Sequence, residues 1–138
     1  MTDLLKEIRP AGFAPMLYLK TLAPAIEFYK KAFGAIELRT ITNSDGSVHV
    51  SEMAIGRSLF RVHEEVTRDQ NLSPATLKGT TVVLGLLVDD PDVTIRNAVA
   101  AGGIEINPVQ DYEYGYRQGS VEDPFGHHWM IEKIEVLI

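Results

Sequence analysis

Gly34–Leu38 reads GAIEL and Gly102–Ile106 reads GGIEI, 68 residues further along a chain of 138. An offset of nearly half the length means that one structural unit is built twice. In the first copy Leu22, Ile26, Tyr29 and Phe33 recur at helical spacing and form one apolar stripe. Thr21 is placed to cap that helix, and Gly34 to end it in the left-handed conformation. In the second copy Asp90 and Pro91 supply an N-cap and a first-turn proline, Ile95, Ala98 and Val99 make the stripe, and Gly102 ends it.

Outward from the two helices, the apolar runs read as strands. Ala14 to Lys20 and Thr80 to Asp89 precede the helices. Ile36 to Thr42, Val48 to Ala54 and Ser58 to His63 follow the first, joined by turns at NSDG and near Gly56. Ile104 to Ile106, Tyr114 to Glu122 and His128 to Ile134 follow the second, with DPFG between the last two. The expected fold class is α+β, two tandem βαβββ modules. Residues 1–138 then make one domain: module 1 about 12–64, a linker about 65–79, and module 2 about 80–138. Neither half, with a single helix, covers its own sheet well, so the halves are expected to share a core.

Thirteen Lys and Arg against 19 Asp and Glu leave a formal charge of −6, with no basic run, which argues against a nucleic-acid partner. The absence of cysteine removes disulfides, Cys-ligated metals and thiol nucleophiles. No stretch approaches the ~20 apolar residues of a membrane span, and the amino-terminal MTDLLKEIRPAGF is mixed in charge. A cytoplasmic protein without membrane partners is expected. No GxSxG, P-loop, GxGxxG or HExxH pattern is present.

AIEFYKKAFGA at Ala25–Ala35 and VEDPFGHHW at Val121–Trp129, together with the duplication, resemble the vicinal oxygen chelate superfamily. That superfamily includes glyoxalase I, bleomycin-resistance proteins, fosfomycin-resistance transferases and extradiol dioxygenases; this chain is similar to its uncharacterised glyoxalase-like branch. The resemblance implies curved mixed sheets with helices on the convex side, a ligand on the concave side, and a homodimer. Metal-using members carry His or Glu at one inward position on the first and last strand of each module. Those positions fall here on Ala14, Arg61, Val83 and Met130. A methyl, a guanidinium, an isopropyl group and a thioether are not the donors a divalent ion needs, and a slip of one residue to Val82 or Leu84 brings none. No metal and no cofactor are therefore expected.

Strand alternation then predicts the lining of the concave face. Leu17, Leu19, Phe60, Val62, Trp129 and Ile131 turn to the helices. Met16, Tyr18, Leu59, Arg61, His63, His128, Met130 and Glu132 turn to the cavity, and Tyr114, Tyr116, Arg117 and Gln118 add aromatic and polar groups. Met16, Tyr18, Arg61, His63, Tyr114, Tyr116, Arg117, His128 and Met130 are the expected ligand-binding set; no catalytic residue is assigned. Arg61 and Arg117 are suited to a carboxylate or phosphonate, and the tyrosines to a planar ring. His49 alternates with Ser51 and Met53 and faces either the pocket or water, and His127 is expected to support the DPFG hairpin. The expectation is a protein that binds a small apolar or aromatic molecule. The alternative is a glyoxalase-type lyase or isomerase, using an off-pattern metal site of His63, His128 and Glu132 or acid–base chemistry by His63 or His128.

Overall fold

The structure, a computed structural model, describes residues 12–66, 68 and 70–135. Most of the amino-terminal stretch and the last three residues of module 2 lie outside those residues. Module 1 comprises β1 (Met16–Leu19), α1 (Ala23–Phe33), β2 (Ile36–Thr42), β3 (Val48–Ile55) and β4 (Ser58–Glu64). A one-turn helix α2 (Pro74–Leu77) follows, and module 2 comprises β5 (Val83–Leu87), α3 (Pro91–Ala100), β6 (Ile104–Tyr112), β7 (Tyr116–Glu122) and β8 (His128–Ile134). The sheets have the same order, β1-β4-β3-β2 and β5-β8-β7-β6, with the first strand parallel to the last and the other pairs antiparallel. The tandem βαβββ plan and the α+β class are therefore observed.

Several boundaries differ from the expectation. Thr21 does not cap α1: the N-cap is Leu22, helical in conformation and without a side-chain bond, because Pro24 in the first turn already fixes the helical start. Gly34 ends α1 at φ 69° as expected, and Asp90 accepts from the Val93 amide at 3.2 Å. Val99 is exposed; Ile95 and Ala98 alone carry the buried stripe of α3 with Pro91. The linker holds α2, capped by Ser73. β5 begins at Val83, and β6 continues to Tyr112, so Tyr114 lies in the β6–β7 turn rather than in a strand.

One core serves both modules. Leu17, Leu19, Phe60, Val62 and Met53 from sheet 1, Leu86, Val121, Trp129 and Ile131 from sheet 2, and buried faces of α1 and α3 belong to a single cluster. Alternation predicted Leu17, Leu19, Phe60, Val62, Trp129 and Ile131 there, whereas Met53, grouped with His49 and Ser51 as facing pocket or water, is a core residue. The helices pack on one another, leaving the other face of each sheet open. The joint is polar where the DPFG turn meets α1. Asp123 of DPFG, 1% exposed, accepts from Tyr29 Oη of α1 at 2.5 Å and from Trp129 Nε1 at 3.0 Å. Its other oxygen accepts from the Phe125 and His127 amides at 2.9 and 3.0 Å. Burial, reinforced by the Asp123 charge, raises the Tyr29 hydroxyl well above the usual tyrosine pKa. His127 does more than support its hairpin, since Nε2 lies 3.1 Å from the Tyr18 carbonyl on β1 and ties the modules together.

Candidate ligand-binding face

The open face of sheet 1 is made of cross-strand rows. In the first, Leu38, Ala54 and Leu59 are buried and form a small cluster with Ala14, separate from the main core. In the second, the pairs Met16–Arg61, Arg61–Glu52 and Glu52–Arg39 run across all four strands. In the third run Tyr18, His63, Val50 and Ile41.

Two irregularities in β2–β3 pairing shape this face. Glu37 pairs with Met53 while Arg39 pairs with Glu52, so Leu38 is an extra residue. A bulge there lets consecutive residues, Leu38 and Arg39, serve the same face. Ile41 pairs with Val50 while Thr42 pairs with Val48, which makes His49 the extra residue of β3. His49 consequently leaves the Ser51 and Met53 face, and its ring meets that of His63 at 4.7 Å between centroids.

The second row is ionic. Arg61 Nε donates to Glu52 Oε2 at 3.0 Å. Arg39 Nε lies 2.9 Å from Oε1, but off the hydrogen-bonding direction, so this buried oxygen has a charged neighbour and no hydrogen bond. In the third row Tyr18 and His63 are in ring contact at 5.0 Å. His63 Nδ1 lies 2.7 Å from the Glu64 carbonyl, and His49 Nδ1 lies 2.8 Å from Glu64 Oε1. With Asn43 also donating, Glu64 titrates below the ordinary carboxylate range, the His49 hydrogen bond being the largest cause.

The open face of sheet 2 follows the same register. Gly85, Met130, Ser120 and Asn107 form its second row, and Leu87, Glu132, Gln118 and Gln110 its third. Asn107 Nδ2 donates to Ser120 Oγ at 2.9 Å, Gln118 Nε2 donates to Glu132 Oε1 at 2.8 Å, and His128 Nε2 lies 3.1 Å from Glu122 Oε1. Tyr114 Oη donates to Gln118 Oε1, and the Tyr112, Tyr114 and Tyr116 rings follow one another at 5.2 and 5.6 Å. Gly85 leaves room for Glu132, whose Oε2 would stand 3.1 Å from a Cβ at that position.

Of the expected ligand-binding set, the structure thus brings Met16, Tyr18, Arg61 and His63 together on sheet 1. It places His128, Met130 and Tyr116 on sheet 2, with Tyr114 above them in its turn. Arg117 is turned elsewhere: it grips Asp92 of α3 through two bonds of 2.9 and 3.0 Å and lies 3.1 Å from Asp111. Its position alternates with the open-face residues Tyr116 and Gln118, which sends it to the helix side. Met16 and Tyr18 also border a cleft of about 400 Å³ between the modules, with Leu72, Leu77, Val82 and His127. A larger cleft, about 640 Å³, lies at the junction of α1, α2 and the β7–β8 turn and reaches His128. Neither cleft includes Arg61 or Glu52.

The four positions that hold metal ligands elsewhere do not suit an ion here. Ala14 belongs to the apolar cluster, Arg61 is engaged by Glu52, Val83 is hydrocarbon, and the Met130 sulfur accepts from Gln118 Nε2 at 3.1 Å. His63, His128 and Glu132 are each engaged separately, by Glu64, Glu122 and Gln118. Among the described residues no three His, Asp or Glu side chains converge on a cation-sized site.

Sequence reasoning missed Arg39 and Glu52, and it put His49, left open between pocket and water, on one face with Ser51 and Met53, which are buried. Alternation counts in twos, and each bulge shifts that count by one. A signal did exist: the bulge after Glu37 recurs after Glu105, within both copies of the repeated motif.

Two mixed four-stranded sheets with the same βαβββ order define the class of protein. The family model for the Glyoxalase/Bleomycin resistance protein/Dioxygenase superfamily matches residues 13–131, and the chain belongs to that family. An uncharacterised protein of Mycobacterium bovis is 34% identical over 127 residues, covering 90% of this chain and 83% of its own. A solved Arabidopsis thaliana gene product is 31% identical with a TM-score of 0.69, covering 89% of this chain and 98% of its own. A fosfomycin resistance protein of Listeria monocytogenes, 15% identical with a TM-score of 0.66 over 91% of this chain and 93% of its own, shares the fold. No helix among the described residues is long and apolar enough to cross a membrane.

Proposed function

We propose that this chain binds a small apolar or aromatic molecule on the open face of sheet 1, without the metal that many relatives of this fold use. One observation carries the reading. An apolar floor of Ala14, Leu38, Ala54 and Leu59 lies beside Met16, Tyr18 and a fixed ionic row, and Ala14 and Arg61, two of the four ligand positions of metal-using members, are part of that arrangement. Apolar surface with a few oriented polar groups is the usual make-up of a small-molecule site. The proposed arrangement is a cytoplasmic homodimer in which a second copy covers the open faces. Met16, Ile36 and Ile41 on sheet 1 and Val83, Leu87 and Ile104 on sheet 2 are 41–63% exposed, an apolar area that association would remove from water. Neither nucleic acid nor membrane is a proposed partner.

Titration with the neutral fluorophore N-phenyl-1-naphthylamine tests the reading. Saturable enhancement is expected, and Leu59→Arg, which puts a charge on the floor, is expected to abolish it. Equal binding by that variant, with unchanged folding, rejects this face as the site. Sedimentation at micromolar concentration tests the dimer, and a monomeric mass rejects it.

A second reading, acid–base catalysis by His63, has one observation in its favour. With Nδ1 donating to the Glu64 carbonyl, the ring is held in contact with Tyr18 and Nε2 is the nitrogen left to exchange a proton with a ligand. Turnover of an epoxide or a glyoxal–thiol adduct that disappears in His63→Ala supports it, and no turnover above the buffer rate rejects it.

A further inference from the structure

We infer that Arg39, Glu52 and Arg61 form an anion receptor, so that the ligand of sheet 1 carries a carboxylate or phosphonate on an apolar body. The inference rests on the ligand-binding reading above and adds the chemical class of the ligand.

Two guanidinium groups face one carboxylate, which leaves this row with one net positive charge. Arg61 donates through Nε to one Glu52 oxygen at 3.0 Å, and Arg39 Nε lies 2.9 Å from the other without a hydrogen bond. A guanidinium has two edges, and engagement through Nε leaves the edge made by Nη1 and Nη2, the geometry that takes an oxyanion through two parallel hydrogen bonds. Arg61 is about two-thirds buried and Arg39 about two-thirds exposed, so one guanidinium is held in place while the other stands toward solvent. Fixing Arg61 on Glu52 beforehand reduces the ordering cost when a ligand arrives. The partial burial strengthens the charge attraction relative to open water.

The architecture does not require these charges. The matching row of sheet 2 has the same bulge and the same register, with Asn107, Ser120 and Met130 in place of Arg39, Glu52 and Arg61. A neutral row therefore builds the sheet equally well. Nor is the ionic row closed on itself. Glu52 Oε1 has no hydrogen bond although Arg39, a long and largely exposed side chain, lies within reach. The apolar floor adjoins the receptor along the strands, since Leu59 and Arg61 on β4, and Ala54 and Glu52 on β3, are two residues apart on one face.

Calorimetric titration of the full chain with benzoate, phenylphosphonate and the neutral benzamide tests the inference. The anions are expected to bind and benzamide to bind at least about tenfold more weakly, in line with a charge-assisted hydrogen bond. Arg61→Gln is expected to weaken the anions by about tenfold. Should that variant unfold because Glu52 loses its partner, Glu52→Gln carries the test: it frees both guanidiniums and is expected to tighten anion binding several-fold. A structural ion pair predicts no gain. The stronger of the two anions identifies carboxylate or phosphonate as the preferred group. Equal affinity for benzamide, no heat with either anion at millimolar concentration, or unchanged or weaker anion binding in Glu52→Gln overturns the receptor. Continued binding of N-phenyl-1-naphthylamine in those cases leaves the ligand-binding reading standing, whereas loss of both rejects the two together.

Discussion

Modules 1 and 2 carry the same strand order, and the same bulge one residue beyond the repeated Ile–Glu pair. On the helix side they converge: Phe60 and Val62 on β4 correspond to Trp129 and Ile131 on β8, and all four are buried in one core. On the open side they part. Module 1 has a buried apolar cluster beside an ionic row, while module 2 has amide, hydroxyl and tyrosine groups with exposed Val83 and Leu87. The helix side of both copies is constrained by a shared core and tolerates little difference. The open side lies away from the core shared with α1 and α3, and its two copies differ in chemistry.

The most damaging change breaks what the two copies share. Asp123→Ala leaves Tyr29, Trp129 and two backbone amides without their acceptor, and should cost about 3–5 kcal/mol, read as a fall in the denaturant midpoint. A loss below about 1 kcal/mol would mean that the joint does not depend on this carboxylate.

Next in size is a contrast between equivalent positions on the helix side. Ser51 on β3 is buried and bonded to Thr40, at 2.8 Å between hydroxyl oxygens, whereas its counterpart on β7 is Gly119. A Cβ on Gly119 would stand 2.8 Å from Ile95 Cδ1 and 3.0 Å from the Asn107 carbonyl. Gly119→Ala is accordingly expected to cost about 1–3 kcal/mol through overpacking, and Ser51→Ala about 1 kcal/mol through the lost hydrogen bond. The reverse ranking in urea melts would contradict the packing described for α3.

A third variant gives module 1 the row of module 2: Arg39→Asn, Glu52→Ser and Arg61→Met together. Replacing a partly buried ionic group as a unit, rather than breaking it, should change stability by only about 1–2 kcal/mol. Phenylphosphonate binding should disappear. Global unfolding of this variant would make the row structural.

The smallest effect is one of pH. The hydroxyl of Tyr29 has its folded pKa raised, chiefly by burial, so the folded state resists its ionisation. Below the ordinary tyrosine value of about 10 this imposes no penalty, and above it the unfolded chain gains by ionising, so stability is lost as pH rises past that value. Alkaline melts should show the loss, and Tyr29→Phe should reduce it. A titration of all five tyrosines without unfolding would contradict the buried placement.

Much of this was legible in the sequence because it obeys simple periods. The doubled GAIEL/GGIEI motif gave the modules, and alternation along β1, β4 and β8 placed Leu17, Phe60, Val62, Trp129 and Ile131 in the core. Where the period is interrupted, reading stopped: Arg39 and His49 lie at bulges, and Tyr114 lies in a turn that β6 reaches by running to Tyr112. Long-range pairing was also hidden. Nothing local in DPFG shows that its aspartate accepts from a tyrosine 94 residues away, or that Arg117 will bind a helix instead of a ligand.

On this reading the open face of sheet 1 binds its ligand through the chain's own side chains and not through an ion. Dissociation constants for N-phenyl-1-naphthylamine should therefore be measured on protein dialysed against EDTA and on the same protein resupplied with zinc or nickel. The same constant is expected in both. Binding that vanishes on chelation and returns with the metal would contradict it.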